Sequence, residues 1–450
     1  MTTNTSWLHF LPKFIRTRIE GRTNLLKVLG NASWLSGEKV LNLFVGLFVG
    51  AWVARYLGPE QFGLLNYAMA FVALFVPLAT LGLDSIVVRD IVRDTTNRDK
   101  ILGTSFVLKL VGGVVVVLVA SGATFLMDPE DNVTHLLVMV LSVGTLIQSF
   151  DVIDFWFQSQ VQSKYVAWSR SAALGVVALI RIVLILMQAP LIAFVVANVM
   201  QQVLTSLGFL VCYRNQGYRI ATWKVDFTQV KALLKDSWPL ILSSMAIMIY
   251  LKIDQIMLKE MVGEEATGIY SAAVRLSELW YFIPMAIAAS VLPSITEAKQ
   301  HSESLYYQRL QKFFDGMTAL SFAIIILVIP LSGFVITLLY GEAYRESVPI
   351  LNIHIFACPF VFLGVAQSSW TITEGLTFLA FTRTLGSAII NVLLNIILIP
   401  HYGGIGAAIA TVVSYMFATS ILHLTCKKTR RIFIMHVKSL FFIRYISRLL

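Results

Sequence analysis

Apolar residues along this chain come in long runs separated by short polar punctuation, the pattern of helices that cross a bilayer rather than of half-exposed helices on a soluble core. Runs of about 20 residues, enough to cover about 30 Å of hydrocarbon, occur twelve times between Trp34 and Cys426. Six fall within residues 34–213 and six within 238–426. The seventh opens at Trp238 and Pro239, which suits a first helical turn, where a missing N–H leaves nothing unpaired. The pattern predicts an all-α membrane protein of twelve transmembrane helices. Its expected parts are a cytoplasmic basic amphipathic arm at 1–33, a six-helix bundle at 34–213, a cytoplasmic linker at 214–237, a second six-helix bundle at 238–426 and a basic tail at 427–450.

A short stretch recurs in the two halves. Residues 58–68 read GPEQFGLLNYA and residues 263–273 read GEEATGIYSAA, with Gly, Glu, Gly, a branched aliphatic and a final Ala in step. The offset is 205 residues (263 minus 58), close to half the chain. Each copy joins the first two apolar runs of its half. A second echo pairs YVAWSR at 165–170 with FLAFTR at 378–383, each at the start of a fifth run. Six is an even number, so both halves enter the membrane from the same side and form parallel repeats about a pseudo-two-fold axis along its normal. Pro77 and Pro284 interrupt the second run of each half, and interrupted helices in matching places point to a central binding site.

Composition fixes the solvent: 57% of residues are hydrophobic and 13% charged, with a mean hydropathy of +0.77, more apolar sequence than a soluble core can bury. The net charge of +10 first suggests nucleic acid. Its distribution removes that reading, because 27 of the 35 Lys and Arg fall in the arm, the tail and alternate loops, while the opposite loops hold only Arg55, Lys259 and Arg345. This is the positive-inside asymmetry of a chain with both termini cytoplasmic, and the excess faces anionic lipid at the inner leaflet. The arm and the tail are both expected to lie along that leaflet. Cys212, Cys358 and Cys426 are far apart, without metal or disulfide spacing, and read as small core residues. No catalytic or metal constellation is visible and no cofactor is expected, which argues against a membrane-bound enzyme.

Charges inside spans cost roughly 2.5–3.5 kcal/mol each, so they face an interior rather than lipid. Five cations qualify: Lys39, Lys109, Arg181, Lys252 and Arg275. Lys39, Lys252 and Arg275 lie on the first two helices of their halves and are candidates to line a cavity, with Arg89 at its cytoplasmic mouth. Lys109 and Arg181 read as structural. Asp254, Glu278 and Glu38 are candidate coupling acids, able to take a proton when desolvated or hold Na⁺ when ionised. Duller roles compete. Glu278 could neutralise Arg275 from the same helix face, and Lys39 could snorkel to the interface beside Glu38. Gly46 and Gly50 form a GxxxG, which permits close helix approach.

The stretch from Trp34 to Arg93, with SWLSGEKVLNLFVGLFVGAWVARYLGPEQFGLLNYAMAF and LGLDSIVVRDIVR, resembles the opening of the polysaccharide transport family. That family comprises the Wzx-type O-antigen and exopolysaccharide flippases of the multidrug/oligosaccharidyl-lipid/polysaccharide (MOP) exporter superfamily. FQSQVQSKYVAWSR at 157–170 and IPHYGGIGAAIATVVSY at 399–415 extend the resemblance, which covers about residues 34–426. It implies a MATE-like fold of two six-helix bundles around a central cavity in the bacterial cytoplasmic membrane. The implied activity is translocation of an undecaprenyl-pyrophosphate-linked oligosaccharide from the inner to the outer leaflet, driven by H⁺ or Na⁺. A link to the polysaccharide polymerase machinery is a further implication. A cation-coupled drug antiporter and a lipid II flippase remain the alternatives.

Overall fold

A computed structural model describes residues 23–425 and 429–441. The expected arm lies largely outside the described residues, through Arg22, as do Cys426 and the ends of the tail. The described residues form α-helices and short 3₁₀ turns. In chain order the helices are α1 (Thr23–Thr80), α2 (Asp84–Arg93), α3 (Arg98–Met127), α4 (Asn132–Ile147), α5 (Val152–Ser159), α6 (Lys164–Leu186) and α7 (Leu191–Asn215). They continue with α8 (Phe227–Met261), α9 (Glu264–Glu278), α10 (Phe282–His301), α11 (Glu303–Tyr340), α12 (Ser347–His354), α13 (Cys358–Thr373), α14 (Thr377–Thr419) and α15 (Arg430–Leu440).

Ten helical stretches among the described residues are long and apolar enough to cross a membrane. Two of them, 57 and 47 residues long, would extend about 85 and 70 Å at 1.5 Å per residue, far beyond the hydrocarbon. Each is broken by a non-helical glycine, Gly58 in α1 and Gly403 in α14, so each is two crossings. This arrangement is compatible with twelve crossings. Large apolar side chains such as Leu118, Leu179, Ile326 and Phe334 are more than half exposed, as lipid-facing residues are.

The repeat is visible in the backbone. Gly58 (φ 74°, ψ 170°) and Gly263 (φ 125°, ψ −179°) both combine a positive φ with an extended ψ, a region that a Cβ disfavours. Each releases the chain from one helix and starts the next. Breaks recur too: a 3₁₀ turn at Gln148–Asp151 separates α4 from α5, and one at Ile355–Ala357 separates α12 from α13. Their starts are 207 residues apart (355 minus 148), matching the repeat offset. The second echo holds as well, since 165–170 and 378–383 open α6 and α14. Arg170 at the end of one donates to Asp154 at 2.8 Å, and Arg383 at the end of the other reaches His423 at 2.6 Å.

Helices before residue 216 pack mainly on one another, as do those after 226, and the two groups meet chiefly through α1 against α8 and α9. At one end of this seam Gly63 and Gly268 face each other. A Cβ on Gly63 would overlap the Glu264 carbonyl, and one on Gly268 would overlap the Pro59 carbonyl. These are equivalent positions, so the contact is reciprocal, as about a two-fold axis. One apolar cluster, including Leu57, Phe62, Leu258, Ile269 and Tyr344, runs across the same end.

Two expectations are corrected. The seventh pass does not start at Pro239: α8 starts at Phe227, where the Asp226 side chain accepts from the Thr228 N–H and caps it. Pro239 sits inside the helix, its cost carried by a cap and an apolar face that extend the helix a further three turns ahead of it. The described part of the tail does not simply lie along the membrane. α15 turns Ile432, Met435, His436 and Ser439 into the second bundle. There Ser439 donates to Asp315 at 2.7 Å, and Gln311 reaches the Met435 carbonyl at 3.1 Å.

Candidate functional site

The most completely built polar site surrounds Asp254, buried in the last third of α8. Its carboxylate accepts from Tyr270 Oη of α9 at 2.8 Å, from Asn395 Nδ2 of α14 at 2.6 Å and from the Thr411 hydroxyl beyond the α14 break. Asn395 also donates to Asn391 Oδ1 at 3.2 Å. All five side chains are buried. Asn391 and Asn395 are four residues apart and so share a helix face. The Asn395 Oδ1 atom has no hydrogen-bond partner, an expensive state for a buried acceptor. One carboxylate among neutral amide and hydroxyl oxygens suits a proton or a hard monovalent cation. No cluster of three or more His, Cys, Asp and Glu that could hold a metal ion occurs among the described residues.

Lys252 and Arg275, read from the sequence as cavity-lining cations, and Asp254 and Glu278, read as coupling acids, lie in one region of the structure. Glu278 lies within Coulomb range of Lys252, Asp254 and Arg275. The local pairing of Arg275 with Glu278 does not form, since no ion pair within 4 Å involves either residue among the described ones. Arg275 stands out as the exposed position in an otherwise buried stretch of α9. Its guanidinium lies over Gly50 of α1, where a Cβ would stand 2.6 Å from Nη1. Of the GxxxG pair, Gly50 therefore makes room for an arginine across the seam, while Gly46 has open space around it. Arg181 of α6 lies within electrostatic range of Arg275, and like charges so placed are eased by a nearby anion.

The other predicted residues lie elsewhere. Lys39 is exposed on α1. Glu38 is buried, accepts from Asn42 and lines a cavity of about 460 Å³ inside the first group of helices. Arg89 is engaged by Asp90 and Asp236, both at 2.8 Å, and ties α2 to the start of α8. Lys109 is buried 4.0 Å from Asp151 and over the Phe155 ring, a structural placement. Sequence reasoning missed Asn391, Asn395, Thr411 and Tyr270. The signal available for the first two was a pair of Asn residues at helical spacing inside an apolar run.

The end of the seam that carries the Gly63–Gly268 contact is shut. Lys259 donates to Asp131 at 3.1 Å, and Tyr344 Oη donates to the Ala54 carbonyl at 2.7 Å. Burial pushes the Asp131 carboxyl up, but hydrogen bonds from Thr134 and Lys259 outweigh it and hold it below its ordinary value.

The fold that carries this repeated half, buried polar cage and seam is shared with solved membrane proteins. The fold agrees with an inward-facing multidrug-resistance MATE transporter of the MOP superfamily (TM-score 0.72, 19% identity, 88% of this chain and 96% of that one). It agrees also with the lipid II flippase MurJ in an inward closed conformation (TM-score 0.70, 15% identity, 93% of each chain). A Shigella flexneri protein named "Putative O-antigen transporter" is 24% identical over 403 residues, 86% of this chain and 94% of that protein. The family model described as "Polysaccharide biosynthesis protein" matches residues 28–299. The chain belongs to that family.

Proposed function

We propose that the protein translocates an undecaprenyl-pyrophosphate-linked oligosaccharide from the inner to the outer leaflet of the bacterial cytoplasmic membrane by alternating access. The observation that carries this reading is Arg275, without an ion pair among the described residues and set across the seam over Gly50 of α1, with Arg181 in electrostatic range of it and Lys252 in range of its neighbour Glu278. A pyrophosphate crossing there would exchange water for fixed positive charge, and Arg offers it two parallel N–H donors. Lys39, exposed on α1, would receive the head group on entry. Both termini would be cytoplasmic, by the distribution of Lys and Arg. The same cations weigh against a cationic drug as cargo.

Coupling would reside at Asp254. Its cage sits beside the cations but apart from them, so loading a proton or Na⁺ there would change the charge that Glu278 and Lys252 feel without blocking the path. Glu278 and Glu38 are secondary candidates for the same role.

The test is flipping of lipid-linked saccharide in proteoliposomes under an imposed Na⁺ or proton gradient. Lys252→Ala and Arg275→Ala should each lower the rate about tenfold or more, the value of a charge-assisted hydrogen bond. Asp254→Asn should abolish the response to the gradient. Wild-type rates in all three would remove the site assignment.

A further inference from the structure

The cavity of about 460 Å³ in the first helix group carries a chemistry that the cations do not explain. It lies between α1, the α4–α5 break and α7, in the half of the bundle that the orientation above places toward the cytoplasm. Its walls are rich in carboxamides: Asn42, Gln148, Asn198, Gln201 and Gln202. No hydrogen bond to protein is made by the side chains of Gln148, Gln201 or Gln202 among the described residues. The Oε1 atom of Gln202 is fully buried and unpaired. Gly144 makes room for it, since a Cβ there would collide with that amide. Buried amides without partners are costly unless a ligand or water completes them.

The charge balance of the cavity rules against an anion. Glu38 and Asp151 are in its wall, and its one cation, Arg170, is held by Asp154 at 2.8 Å. Aromatic cations are equally poorly served, because no aromatic ring among the described residues lines it. A ligand dense in hydroxyls fits. Each sugar hydroxyl both donates and accepts, and so does each carboxamide. The volume falls in the range of about 300–1,000 Å³ typical of small-ligand sites and has room for one or two sugar rings. Position agrees too, since Asn198 in the cavity wall accepts from Arg181 at 2.8 Å. Arg181 in turn lies within electrostatic range of Arg275.

We infer that this cavity is the glycan-recognition site, holding the first sugars of the lipid-linked saccharide as neutral or amino-substituted polyols while the pyrophosphate rests against Arg181 and Arg275. The inference rests on the transport reading above and deepens it. Gln201 and Gln202 are its specificity-determining residues, and Gly144 positions Gln202.

The experiment measures binding to the purified full-length protein of two probes. One is the undecaprenyl-linked saccharide pool extracted from the protein's own host, and the other is undecaprenyl pyrophosphate without sugar. The double variant Gln201→Leu/Gln202→Leu should bind the glycosylated pool about tenfold more weakly, the loss of two ordinary hydrogen bonds. Its affinity for undecaprenyl pyrophosphate should be unchanged, which also verifies the fold. Gly144→Ala, which displaces one amide and removes none, should shift the same ratio by a smaller factor. Equal glycan affinity in wild type and variants would overturn the inference, as would a parallel loss of both probes in both variants. A wild-type protein that binds neither probe would bring down the transport reading and this inference with it.

Discussion

At Asp254 a single carboxylate is held by three donors from two other helices, α9 and α14. The consequence is that ion affinity should respond to side chains that carry no charge. Thr411→Val and Asn395→Leu each remove one bond to it, and each should weaken the apparent affinity for the driving ion about tenfold, read from flipping rate against ion concentration. Asn391→Leu, one bond further out, should have a smaller effect. The acid itself was legible in the sequence, as were Lys252 and Arg275, because a charge inside an apolar run must face something other than lipid. The amides and hydroxyls around it were not, because neutral polar residues are ordinary in membrane helices and bond to each other in many unrelated ways. The same blindness hid Gln148, Gln201 and Gln202. Arg89 was legible as a charge but not as a partner, since Asp236 lies 147 residues away and only the fold brings them together.

The elements were predicted well where length decided and less well where ends decided. The apolar runs fall within the ten long helical stretches of the described residues, an arrangement compatible with twelve crossings, but the start of α8 moved to Phe227, because a capping Asp226 and the polar turns that follow it carry no hydropathy signal. The docking of α15 was equally hidden: its alternation of basic and apolar residues fits a membrane surface and a protein groove alike. That docking buries His436 against Phe314, with ring centroids 4.7 Å apart. Burial drives its imidazole down from 6.5 to about 3. A histidine depressed in the folded state favours folding fully above its unfolded value and loses that contribution as pH falls from about 6.5 toward 3. α15 should therefore undock on acidification while the spans persist, seen as faster hydrogen exchange over 430–440 below pH about 6. His436→Leu, which cannot protonate, should keep the helix protected over the same range.

For the molecule as a whole, the proposed alternating access would turn on the seam between α1 and α9. Gly63 and Gly268 allow backbones to touch there, so Gly63→Leu should force that end apart at a cost of about 1–3 kcal/mol. The check is labelling of cysteines introduced along 59–66 from the outer face, which should rise in the variant and stay low in the wild type. Acid should not mimic it: the Asp131 carboxyl is held low, so its bond to Lys259 contributes above the ordinary carboxylate range and is lost only as pH falls through the depressed value. The pairing of equivalent glycines also bears on biogenesis. The ribosome delivers Gly63 about 200 residues before its counterpart, so for many seconds of synthesis a notch shaped to accept its own twin waits uncovered in the bilayer. The surface most able to occupy it in that interval is the same notch on another nascent chain, and polysomes crowded on one message would raise the hazard of half-made molecules coupling before the second repeat emerges.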